Sequence, residues 1–148
     1  MNETTAPLNQ ATDAVLEGVV HAGQSIEQAM EEAARPHGLS VAKMGVLHVL
    51  AAKREPLPLG NLSRELHCVK SNITQLMDRL EADGLVRRLA DPEDRRSVRA
   101  EITEEGRRRY EAGWRAVQEA RQGMLKRLSE SEREQLLGLL ARMSDDRR

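Results

Sequence analysis

Apolar residues return every three or four positions along most of this chain, and that spacing predicts helices. The first stripe runs through Val15, Val19, Ala22, Ile26, Met30 and Ala33, with Pro36 and Gly38 placed to stop it. It is narrow, a seam that needs another helix to cover it. Ser40 offers an N-cap to a second helix whose face is Val41, Met44, Leu47 and Leu50. The stretch KREPLP, residues 53–58, breaks that helix with two prolines. A short helix follows on Leu59, Leu62 and Leu66, and after His67 and Cys68 comes a longer one. There Ile73, Leu76, Met77 and Leu80 fall at i, i+3, i+4 and i+7, and Asp83–Gly84 supplies a C-terminal stop.

The period then changes. Leu85–Leu89 (LVRRL) and Val98–Thr103 (VRAEIT) have strand character and flank DPEDRRSV, residues 91–98, so a single charged hairpin is expected. Thr103 caps the next helix, with Glu104 and Glu105 where the positive end of the macrodipole favours carboxylates. Its apolar line is Tyr110, Trp114, Val117, Met124, Leu125 and Leu128. Ser131 and Glu134 have capping-box spacing for a last helix carrying Leu136, Leu137, Leu140 and Met143. The opening MNETTAPLNQ reads as a frayed arm.

Composition narrows the picture. A chain of 148 residues supports one domain with a real core. Its 39% hydrophobic and 32% charged content suits a helical, soluble protein. Tyr110 and Trp114 are the whole aromatic complement, so aliphatic side chains must fill the interior. No apolar run reaches the roughly 20 residues that a membrane span needs. No secretory leader opens the chain. A single cysteine cannot form an internal disulfide, which fits a reducing, cytoplasmic setting. The net charge is −1, and from Asn61 to Tyr110 eleven basic residues stand against ten acidic ones. Contact with a polyanion would rest on a few placed arginines rather than on a broad field.

Two helices joined by a tight turn and followed by a charged hairpin is the layout of a winged helix-turn-helix. The expected fold is therefore mainly α with a small β-hairpin wing. With its apolar face inward, the helix from Val69 to Asp83 turns Lys70, Ser71, Thr74, Gln75, Asp78 and Arg79 outward. Lys70 and Arg79 suit phosphate or guanine, and Asn72 and Gln75 carry amides that match adenine. Ser71 and Thr74 can bond to backbone or base. An ordinary amphipathic surface helix shows the same polar face. The hairpin tips the balance, because an arginine at its tip can enter the minor groove, where the potential is most negative. Asp94, beside Arg95 and Arg96, is expected to hold a guanidinium in a fixed pose, while Asp91–Pro92 shapes the turn.

The segment SNITQLMDRLEADGLVRRLADPEDRRSVRAEITEEG, residues 71–106, resembles the DNA-binding core of the multiple-antibiotic-resistance regulator (MarR) family. The likeness rests on Gly84-Leu85-Val86-Arg87-Arg88, on Asp94-Arg95-Arg96 in the wing, on Val98, and on Ile102-Thr103 with Gly106. It is strong over residues 40–106. It implies a homodimeric transcription regulator reading a pseudo-palindromic operator on double-stranded DNA. The resemblance makes residues 1–148 one domain, with 12–35 and 104–146 as dimerisation helices around a DNA-binding lobe at 40–103. The recognition helices would then lie about 34 Å apart. It further implies a repressor released by a small-molecule inducer.

Other candidates add less. Cys68, near a helix start, could sense oxidants, but no second cysteine exists to resolve a sulfenic acid. A redox-switched regulator through Cys68 is thus one alternative, and a dimeric helical interaction module without DNA binding is another. His21, His37, His48 and His67 lack metal-ligand spacing, so neither metal nor cofactor is expected. Arg107-Arg108-Arg109 reads as a solvated face at the start of the long helix. No nucleophile triad, phosphate-cradling glycine loop or carboxylate pair points to catalysis.

Overall fold

The computed structural model describes residues 6–67 and 70–144, with side-chain surroundings for 11–67 and 71–144. Its helices are α1 (Ala6–Ala34), α2 (Val41–Lys53), α3 (Leu59–Glu65), α4 (Lys70–Ala82), α5 (Glu104–Leu125) and α6 (Glu130–Met143). Strands β1 (Leu57–Pro58), β2 (Val86–Ala90) and β3 (Val98–Ile102) form one antiparallel sheet in the order β1–β3–β2. No helix among the described residues is long and apolar enough to cross a membrane.

The chain divides into two compact units. One comprises residues 30–117 and holds the core. Leu47, Leu50, Leu62, Ile73, Met77, Leu80 and Leu85 are its largest fully buried side chains, each contributing about 1.5–3 kcal/mol by leaving water. Ser40 caps α2 by accepting from the Lys43 N–H at 3.2 Å. Gly84, at φ 71°, ends α4 in a Schellman turn: its N–H donates to Glu81 O at 2.9 Å and the Leu85 N–H to Leu80 O at 2.9 Å. The next joint is just as specific. Thr103 accepts the Gly106 N–H at 3.0 Å through Oγ1 and donates the same hydroxyl to Gly84 O at 2.7 Å. A Cβ on Gly106 would come within 2.0 Å of Leu85 O, so only glycine lets α5 start this close to the base of the wing.

The other unit joins α1 up to Ala29 with the chain from Gln118 onward. Among its described residues no side chain is buried. Val15, Leu16, Val19, Val20, Ile26, Leu125, Leu136, Leu137, Leu139, Leu140 and Met143 all stand exposed.

Three expectations change, the first being the start of α1, which begins at Ala6 inside the stretch read as a frayed arm. The hairpin is not alone, because Leu57 and Pro58 pair with Ala100 and Arg99 and add a third strand. A proline, which cannot donate to a ladder, suits that short edge position. The last helix is capped by Ser129 with Glu132, not by Ser131 with Glu134. Starting two residues earlier lets the Arg133 Nε–H donate at 3.0 Å to the Leu125 carbonyl, which also accepts from the Leu128 N–H, closing the end of α5.

Candidate nucleic-acid interface

α4 is built to show one polar face. Ile73, Met77 and Leu80 are completely enclosed, and the helical period then turns Ser71, Asn72, Thr74, Gln75 and Arg79 to the exposed side. Lys70 opens the helix, but its side chain lies outside the described residues, as does Cys68 altogether.

The wing is shaped by two aspartates acting on backbone. Asp91 Oδ1 accepts from the Glu93 N–H at 3.0 Å, and Asp94 Oδ1 accepts from the Arg96 N–H at 2.9 Å. The Ser97 N–H then donates to Asp94 O at 2.9 Å and closes the turn. Asp94 was expected to grip a neighbouring guanidinium. Instead it forms no ion pair among the described residues, because its carboxylate is committed to the turn. The acid that does restrain an arginine is Asp91, whose Oδ2 lies 2.9 Å from Arg99 Nε in a close ion pair rather than an aligned hydrogen bond. Arg99, and after it the Glu93 N–H, hold the Asp91 carboxyl below its usual range.

Pairing elsewhere sorts the charges. Asp78 and Glu81 bind Arg88, Asp83 binds Lys43, Glu101 binds its cross-strand partner Arg87, and Glu105 binds Arg108 and Arg109. Arg109 first, then Arg108, lowers the Glu105 carboxyl below its ordinary value. Arg108 and Arg109 are thereby tied down by an acid one turn earlier. Between Ser71 and Ile102, the arginines without an acidic partner among the described residues are Arg79, Arg95 and Arg96, all exposed. Glu93 and Asp94 share the tip with two of them, so the field there is small and these arginines work at contact range. Arg88 was not singled out in the sequence as a site residue. Its acids are three residues apart on one helix face, but only the turn at Gly84 brings the arginine back to them.

A cavity of about 370 Å³ lies within the same unit, lined by apolar side chains including Met30, Met44, Val49, Leu66, Trp114 and Val117. His48 stands at its edge, stacked on Trp114 with ring centroids 5.0 Å apart and its Nδ1 2.6 Å from the Tyr110 hydroxyl. Burial raises the Tyr110 phenol above its ordinary value.

The sequence pattern of the MarR family matches residues 41–98, the stretch that carries α2, the recognition-type helix and the wing tip. The chain is also 30% identical over 105 residues to the HTH-type transcriptional regulator YsmB of Bacillus subtilis, covering 71% of this chain and 70% of that one. The chain belongs to the MarR family of transcriptional regulators. A probable transcriptional regulator from Pseudomonas aeruginosa shares its fold with a TM-score of 0.75 and 30% identity, over 90% of this chain and 98% of that one. A MarR variant from E. coli, solved in complex with operator DNA, matches with a TM-score of 0.74 and 26% identity, over 86% of this chain and 92% of that one. Against the first curated B. subtilis relatives that it matches, the chain spans 46–66% of their length. The fold is the MarR-type winged helix, mainly α with a three-stranded wing.

Proposed function

We propose that this MarR-family chain binds double-stranded DNA as a homodimeric repressor and is released by a small ligand. In this reading α4 lies in the major groove, with Lys70, Ser71, Asn72, Thr74, Gln75 and Arg79 toward phosphates and base edges. Arg95 and Arg96 enter the minor groove from a turn shaped by Asp94. The observation that carries it is the sorting of charge: most acids on this surface are neutralised within the protein, while the arginines at the helix face and wing tip have no acidic partner among the described residues. The relative solved in complex with operator DNA supports DNA as the partner.

The second copy is expected to cover the exposed apolar faces at 11–29 and 118–144, so that the helices at 12–35 and 104–146 form the dimer base around a DNA-binding lobe at 40–103. Release is assigned to the 370 Å³ cavity, whose apolar walls suit a small, largely apolar ligand. Full switching requires that ligand to favour the non-binding shape by about 5 kcal/mol.

Selection from a pool of random DNA duplexes tests the reading. The protein should enrich a pseudo-palindrome, and its affinity should fall as salt rises. Arg96→Ala should weaken binding to that duplex by about 1–3 kcal/mol without changing the oligomer. Failure to enrich any duplex at low salt would leave a dimeric interaction module instead.

A further inference from the structure

Arg88 sits on β2 at the root of the wing, paired with Ala100 of β3, yet the hydrogen bonds of its side chain all reach α4. Its Nη2 lies 2.5 Å from Asp78 Oδ1 and 3.4 Å from the Thr74 carbonyl, and its Nη1 lies 2.6 Å from Glu81 Oε2. The Arg88 backbone N–H also donates to Glu81 Oε1 at 3.1 Å. One guanidinium and one amide thus tie the wing to three successive turns of the helix. Hydrogen bonding to Asp78 is the main cause that raises the Arg88 pKa still further, so the tie keeps its charge at any working pH.

We propose that Arg88 is a positioning residue: with Asp78 and Glu81 it fixes the separation between the recognition helix and the wing, and so sets the register in which the two enter neighbouring grooves. This rests on the DNA-binding reading above. A planar fork suits the task, since it meets two carboxylates at fixed angles, whereas an ammonium is a point charge. The arrangement also explains two acids on a helix meant to face phosphates. On charge alone Asp78 and Glu81 oppose binding, and their presence is accounted for by what they hold.

That yields opposite expectations for one variant. If the acids matter only as charge, Asp78→Asn combined with Glu81→Gln should tighten binding to every duplex. If they position the wing through Arg88, the same variant should weaken binding to the selected duplex while tightening on a scrambled one.

The experiment measures the wild type, Arg88→Met, Arg88→Lys, the acid double variant and the Arg88→Met triple variant. Each is titrated with the duplex that the wild type enriches and with its scrambled counterpart, over a range of salt. Arg88→Met and the acid double variant should each lose on the order of tenfold in specific affinity, and the triple variant no more than either. Arg88→Lys should fall between them and the wild type. The salt slope on the selected duplex should not change, because Arg88 neutralises acids and not phosphates. A slope reduced by about one in Arg88→Met, or tighter binding of the acid double variant to both duplexes, overturns the proposal. If Arg88→Met fails to fold, the acid double variant decides alone. If the wild type enriches nothing, the DNA-binding reading fails first and takes this inference with it; loss confined to the variants' contrast condemns only the inference.

Discussion

Among the described residues, 30–117 bury sixteen apolar side chains, while 11–29 and 118–144 bury none. Both regions are helical and both carry apolar stripes at the same three-four spacing. The difference lies in what covers the stripe. In the first region α2, α3, α4 and the sheet close over one another, so Leu47 and Leu50 are almost wholly enclosed. In the second, Leu137 is 70% exposed and Val15 58%. Eleven large apolar groups left in water form a surface of the kind that marks a contact with another chain. Periodicity announces that a face will be covered; it does not say by which chain.

Substitutions in the two regions should differ in both size and kind of effect. Leu47→Ala should destabilise the protein by about 2–5 kcal/mol, the cost of a cavity in a closed core. That loss should be the same at every protein concentration in chemical denaturation. Leu137→Asp combined with Leu140→Asp should act differently. It should convert a sedimenting dimer to a monomer and remove the concentration dependence of the thermal midpoint. A variant that stays dimeric with an unaltered midpoint would mean those faces are not the seam. Thr103→Ala is the smallest change, about 1 kcal/mol from the lost N-cap. It removes both the bond to the Gly106 N–H and the tie to Gly84 O, and thermal melting should register it in the first region without altering the oligomer.

What could be read in advance follows the range of the interactions. The caps at Ser40 and Thr103, the stop at Gly84 and the buried faces of α2 and α4 depend on residues within a turn or two, so spacing and residue type revealed them. β1 is two residues long and exists only because β3 lies beside it, which no periodicity can signal. The capping register at 129–132 depended on Arg133 reaching back to the end of α5, a choice invisible when two Ser-x-x-Glu pairs overlap. The polar face of α4 emerged from its apolar face by subtraction. The role of Asp94 did not, because adjacency to Arg95 and Arg96 suggested a side-chain pair where the turn instead consumes the carboxylate on backbone. Asp91 with Arg99, eight positions apart, and Arg88 with Asp78 and Glu81, ten and seven apart, are brought together across a strand register or a helix stop. Such pairs belong to the fold.

Two copies, joined by faces that a single chain leaves uncovered, are proposed to present two winged lobes to one duplex. The most direct measurement is the mass of the complex formed on the selected duplex, by sedimentation across protein concentrations. Two 16.6 kDa chains should bind each duplex together, with no stable one-chain complex at intermediate ratios. A complex holding one chain per duplex at saturation, with the free protein monomeric, would contradict it.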